Sequence, residues 1–178
     1  MPSPTSLPSD PIAEAKRQWL LHGWDDAANG MAVVTSIMRA QQLLLSRVDA
    51  ALKPFDLSFA RFEMLALLSF TREGALPMAS ATARLQVHPT SVSSIVDRLE
   101  QAGLVERSQH PTDRRATMLT LTDAGRTVVE NASAVLNTTV FAEPGLDDDE
   151  GIELVRILAR MRRRAGDFAD PPVLPDPL

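Results

Sequence analysis

The chain has 178 residues, enough for one domain with tails and a buried core. Its 23 acids against 18 bases give a formal net charge of -5, which argues against nonspecific coating of nucleic acid but not against one small DNA-contacting patch. Cysteine is absent, which excludes disulfides, thiol nucleophiles, thiolate metal sites and cysteine-based redox sensing.

Residues 1–11 hold four prolines and three serines and predict an irregular arm. IAEAKRQWLLHGWDDA (12–27) predicts a short amphipathic helix with Ile12, Trp19 and Leu20 toward a neighbour. A longer helix is expected over 30–52, where Val33, Val34, Ile37, Met38, Leu44, Leu45, Val48 and Leu52 recur at helical spacing and Pro54 marks the stop. Ser58 is the expected cap of FARFEMLALLSFT, a helix ending near Gly74. MASATARL and PTSVSSIVDRLEQAG follow as two helices joined by a brief turn. LVERSQ and TMLTLT are short strand candidates on either side of an arginine-bearing loop. Thr122 then caps a helix to about Val140, and 147–165 supply a last helix that opens on DDDE and closes on RMRRRAG. Those end charges suit the helix dipole, so capping accounts for Asp147, Asp148 and Asp149 better than a metal does, and for the arginines at 162–164 better than nucleic acid. The closing DPPVLPDPL is again proline-rich and predicts an irregular tail.

Helix, turn, helix, strand, loop, strand is the order of a winged helix-turn-helix, in which the second of two closely linked helices enters the major groove. At 100° per residue, Val92, Ile95, Val96 and Leu99 share one stripe that can lock the helix to its neighbours. Thr90, Ser94, Asp97 and Gln101 face the other way, with Ser91 and Arg98 on the flanks and Pro89 in the first turn, where its missing donor costs nothing. Small hydroxyls there permit close approach and sit beside unpaired backbone donors that favour a phosphate. Arg98 either reaches a phosphate or a base edge, or pairs with Glu100 or another acid. Asp97 would repel the DNA backbone unless it accepts from a base or positions an arginine; a plain surface acid is the equal alternative.

The loop in QHPTDRRATMLTLTDAG (109–125) carries Asp113, Arg114 and Arg115. Taken alone it reads as a solvated hairpin tip. Beside a recognition helix, such a tip can reach the adjacent minor groove, where arginine is favoured by the concentrated negative potential. Asp113 is close enough to receive the Arg115 guanidinium, and Arg114 points toward phosphate if the backbone is extended.

Together LSFARFEMLALL (57–68), VHPTSVSSIVDRLEQAGLVER (87–107) and PTDRRATMLTLTDAG (111–125) resemble the MarR family of winged-helix transcriptional regulators over roughly 30–165. The resemblance implies a mainly α fold with a small β-wing, dimeric through N- and C-terminal helices. It also implies a recognition helix at about 89–101, a wing in which Asp113 supports a minor-groove Arg115, and double-stranded promoter DNA as partner. Released DNA on binding of a small molecule is common in the family. The corresponding organisation is an arm with a short helix over 1–29, a family domain over 30–165 and a tail over 166–178. Within that domain the winged unit covers about 57–121 and dimerisation helices cover about 30–53 and 122–165. Two departures are Gln86, where the family often has Gly, and ATA at 81–83 in place of Glu-Leu-Ala.

A homodimer also has a physical basis, because one winged unit reads only half a site and both long outer helices are unusually apolar. The last helix contributes Ile152, Leu154, Val155, Ile157, Leu158 and Met161. The resemblance places an effector cavity between dimer helices and winged unit. Trp24, Met31, Met38, Phe62, Leu65 and Phe70 are candidate lining, with Arg39 as an anion handle; ordinary core packing is the competing reading. The effector would be apolar or aromatic, or an organic acid.

Catalysis is not expected. His22, His88 and His110 make no ligand-spaced cluster, and His88 beside Ser91, Ser93 and Ser94 reads as part of a helix start. No serine elbow, glycine-rich phosphate loop or paired-histidine metal spacing is present, and no cofactor is implied. No apolar run reaches the ~20 residues of a spanning helix and no secretory leader is evident, so a cytoplasmic protein without a membrane partner is expected. The expected function is a sequence-specific, effector-released promoter repressor; the alternative is a winged-helix scaffold that binds protein.

Overall fold

The computed structural model describes residues 7–85, 89–113 and 115–169. The chain divides into two compact units, one ending at Arg47 and the other beginning at Val48. In the first, α1 (Pro11–Leu21) is opened by Asp10, whose carboxylate accepts from the Ile12 N–H at 2.9 Å. Gly23, at φ +74°, turns the chain, and α2 (Asp25–Leu52) follows. The long helix thus starts five residues before the expected Gly30: Asp25 and Asp26 favour its N-terminus, and one interior glycine is tolerated for about 1 kcal/mol. Trp24 packs edge-on against Trp19 with ring centroids 5.2 Å apart.

The second unit holds the core. It begins with Val48 and Leu52 at the end of α2, passes a short 3₁₀ turn at Lys53–Phe55, and enters α3 (Phe59–Ser69), which Ser58 caps as expected. Five residues of α3 are buried, Met64, Leu65 and Leu68 completely, so this helix is the central pillar. A strand not foreseen in the sequence, β1 (Ala75–Pro77), leads into α4 (Met78–Arg84). Next come α5 (Pro89–Gln101), β2 (Val105–Gln109) and β3 (Thr117–Leu121). The three strands form an antiparallel sheet in the order β1-β3-β2, with Leu76 and Arg107 both opposite Leu119. Three residues ending in proline carry little strand signal, and only pairing with β3 defines β1.

The expected stripe of α5 is buried: Val92, Ile95, Val96 and Leu99 join Ala81, Leu119 and Leu121 in one cluster. Full burial of each large side chain contributes about 1.5–3 kcal/mol. Ala81, the first residue of the ATA departure, is fully enclosed. Gly103, at φ +70°, ends α5: its N–H donates to the Glu100 carbonyl at 2.9 Å, and the Leu104 N–H to that of Leu99 at 2.9 Å. α6 (Asp123–Leu136) then starts at Thr122, whose hydroxyl accepts from the Gly125 N–H and donates to the Gly103 carbonyl. Its helical backbone continues without a break as a π-helix at Asn137–Phe141, past the expected Val140. α7 (Asp148–Arg164) opens on a complete capping box between Asp147 and Glu150. Its closing arginines lie in the last turn, where they suit the helix dipole, and Arg162 is paired with Asp167 at 2.6 Å. Among the described residues no helix is long and apolar enough to cross a membrane.

Candidate nucleic-acid interface

With one stripe of α5 sealed in the core, its remaining surface is a polar face. Ser91, Ser94, Asp97, Arg98 and Gln101 are all exposed on it. The helix includes Pro89 and Thr90, whose side chains lie outside the described residues, as do Gln86 and His88. The bulky groups of α5 therefore point inward while hydroxyls, an amide and a guanidinium point out, which is the polarity that groove reading needs.

The wing is a hydrogen-bonded tip on two strands. The His110 N–H donates to the Ala116 carbonyl and the Ala116 N–H to that of Asp113, each at 3.0 Å. His110 Nδ1 accepts from the Thr112 and Asp113 N–H groups at 3.3 Å. Asp113 supports Arg115, but not in the expected way. Its Oδ1 accepts from the Arg115 backbone N–H at 2.9 Å, which shapes the turn; the expected carboxylate–guanidinium pair is not among the ion pairs of the described residues. Two residues apart across a tight turn, the short aspartate side chain meets the backbone before the guanidinium. Arg115 is exposed at the tip, and Arg114 lies outside the described residues. A shallow depression of about 400 Å³ on the wing is lined by Arg107, Ser108, Gln109, Arg115, Ala116 and Thr117, so two guanidinium-bearing residues border one polar trough.

Asp97 is ion-paired with an arginine at 2.6 Å. That arginine is Arg107, which sequence reading did not single out, and Arg107 rather than Arg98 is the partner of Glu100. The signal was present in the alternation of β2, where Val105 and Arg107 share the inward face.

The candidate effector residues separate. Phe62 and Phe70 line a cleft of about 450 Å³ with Phe59, Glu63, Arg84 and Phe141. Desolvation in this setting pushes the Glu63 carboxyl above the ordinary glutamate value. Leu65 is instead sealed in the core, which is the competing reading given for it. Trp24, Met31, Met38 and Arg39 belong to the first unit. There Trp24 and Met38 are exposed, Met31 accepts through its carbonyl from the Thr35 hydroxyl, and Arg39 donates to Gln42 at 3.3 Å.

A family model described as MarR family matches residues 60–117, from α3 to the start of β3. The HTH-type transcriptional repressor Rv2887 of Mycobacterium tuberculosis (strain ATCC 25618 / H37Rv) is 31% identical over 112 residues, covering 63% of this chain and 76% of that protein. Among solved structures, Sco5413, a MarR family transcriptional regulator from Streptomyces coelicolor, superposes with a TM-score of 0.70 at 48% identity over 79% of this chain and 97% of that one. The transcriptional repressor CouR, solved on a 23-mer DNA duplex, gives a TM-score of 0.64 at 26% identity over 71% of this chain and 89% of that one. A winged helix-turn-helix with a polar recognition face and an arginine-tipped wing, matched in sequence and in fold by these regulators, belongs to the MarR family of transcriptional regulators.

Proposed function

We propose that the protein is a dimeric repressor that reads a pseudo-palindromic promoter site and is released by a small apolar or aromatic molecule or an organic acid. The observation that carries the DNA-reading part is the face of α5. Its apolar stripe is wholly committed to the core, which leaves Ser91, Ser94, Arg98 and Gln101 for a groove, beside Asp97 whose carboxylate is held by Arg107, with Arg115 at the wing tip for the next one. Pro89, Thr90 and Arg114 belong to the same proposed surface. The DNA-bound state of CouR supports this reading.

Dimerisation is supported by apolar surface that each unit leaves in water. In the first, Val33, Val34, Met38, Leu43 and Leu44 are exposed along α2; in the second, Ile152, Val155, Ile157 and Met161 are exposed along α7, which buries no residue. The proposed organisation keeps the winged unit at about 57–121 and dimerisation helices at about 30–53 and 122–165, with α1 as an N-terminal extension. The effector part is supported by the phenylalanine-lined cleft, whose few polar groups, Glu63, Ser133 and Asn137 among them, would orient a small ligand. A ligand that favours a spacing of the two reading heads unsuited to the grooves weakens DNA binding by reciprocal coupling.

The test is selection of duplexes from a random-sequence pool by the full chain, followed by sedimentation equilibrium of protein and complex. Enrichment of an inverted repeat with half-sites about one helical turn apart, bound by two chains, is expected. No enrichment over the starting pool overturns DNA reading, and a 19.4 kDa monomer that binds the full site at native affinity overturns the dimer. Effector release is judged by calorimetry of DNA-displacing compounds against the free dimer. A set of displacers that only unfold the protein refutes it.

A further inference from the structure

The ion-paired arginine at the base of the wing has a geometry that surface charge alone does not explain. Arg107 Nη2 donates to Asp97 Oδ1 at 2.6 Å and, more weakly, to the Ser93 carbonyl at 3.4 Å, while Nη1 donates to Glu100 Oε2 at 2.8 Å. Ser93, Asp97 and Glu100 are spaced i, i+4, i+7, so one guanidinium grips successive turns along a single edge of the recognition helix. The arginine side chain is 27% exposed, against 53% for Asp97 and 42% for Glu100. Its place opposite Leu119 puts its stem on the inward face of the ribbon, with the head reaching back to α5.

Two carboxylates on a helix that approaches phosphate oppose binding by charge alone. Their presence is accounted for if they serve as acceptors for Arg107. A planar fork with both Nη groups committed fixes orientation in a way a flexible ammonium cannot. We propose that Arg107 is a positioning residue for DNA reading: it clamps α5 to β2, so that the recognition helix and the wing tip enter neighbouring grooves at one fixed angle. Asp97 and Glu100 act through it rather than on a base. Arg115, which borders the same trough, is exposed at the wing tip to face DNA. This inference rests on the DNA-reading function proposed above.

Charge and geometry predict opposite signs for one substitution, Asp97→Asn. If charge dominates, D97N tightens binding, because a negative group is removed beside phosphate. If Arg107 positions the wing through Asp97, D97N weakens it. The experiment compares wild type, D97N, R107K and the double variant on a duplex selected by the wild type and on a scrambled duplex of equal composition. The expected result is a ratio of the two affinities reduced about fivefold per reading head in D97N, whose amide oxygen still accepts from Arg107 but without charge assistance. The reduction is at least as large in R107K, with the double variant no worse than R107K. Amide hydrogen exchange over 105–121 in the free protein is expected to quicken in both single variants. D97N binding the selected duplex as tightly as wild type, or more tightly, overturns the positioning role. If the wild type enriches no duplex, DNA reading itself falls, and exchange alone decides the clamp: faster exchange supports it and unchanged exchange refutes it. D97N is nearly isosteric at a half-exposed site, so it keeps both readouts open should R107K fold poorly.

Discussion

Asp113 offers a comparison in which two variants share a charge change and differ by one hydrogen bond. Its Oδ1 accepts from the Arg115 N–H at 2.9 Å, and the tip is closed further by the Ala116 N–H on the Asp113 carbonyl. Asp113→Ala and Asp113→Asn each remove a negative charge from a tip that approaches phosphate, which by itself favours binding equally in both. Only the alanine variant loses the acceptor. A side-chain acceptor capping a backbone N–H at a chain turn is worth about a fivefold factor, by analogy with helix N-caps. Two wings on one operator multiply it, so D113A should bind about 25-fold more weakly than D113N, which binds at least as tightly as wild type. Fluorescence anisotropy on the selected duplex at fixed salt measures the ratio, and thermal melts check that folding is equal. If D113N loses as much as D113A, the carboxylate charge acts on the Arg115 guanidinium directly, and the backbone account is wrong.

Arg115→Ala should lower DNA affinity about tenfold per wing with no change in Tm, since the side chain is exposed at the tip; equal affinity in anisotropy would remove it from the interface. Gly125→Ala should destabilise the fold by about 1–3 kcal/mol, because a Cβ there meets the Leu104 carbonyl oxygen and lies 2.8 Å from Leu121 Cδ1; an unchanged denaturation midpoint would refute the close approach. Burial raises the Glu63 pKa, so the folded chain binds this proton more readily than the unfolded chain. The stability it contributes is present below the unfolded value and lost as pH rises through the folded one. Glu63→Gln should therefore melt above wild type at neutral pH and converge with it below the ordinary carboxylate range; a pH-independent difference in Tm would show that desolvation is not the cause.

Local chemistry by itself determined most of the helices and the exposed polar face of α5. The Ser58 and Thr122 caps and the acids before α7 are properties of neighbouring residues, and they stand where the sequence places them. The stripe of Val92, Ile95, Val96 and Leu99 is set by the helical period, and that stripe determines which face of α5 is left exposed and polar. What depends on chain segments far apart was decided only in the tertiary structure. β1 has three residues and no periodicity of its own, and it exists because β3 offers it backbone partners. Phe62 and Phe70 both read as candidate lining in sequence, yet Phe62 is buried in the core beside the cleft while Phe70 stands largely exposed at it. Arg107 and Asp97 are ten residues apart across a helix end and a turn, and their 2.6 Å contact follows from how β2 folds back along α5. Pairings of this kind depend on the relative placement of whole elements, which burial of the shared core settles and local propensity does not encode.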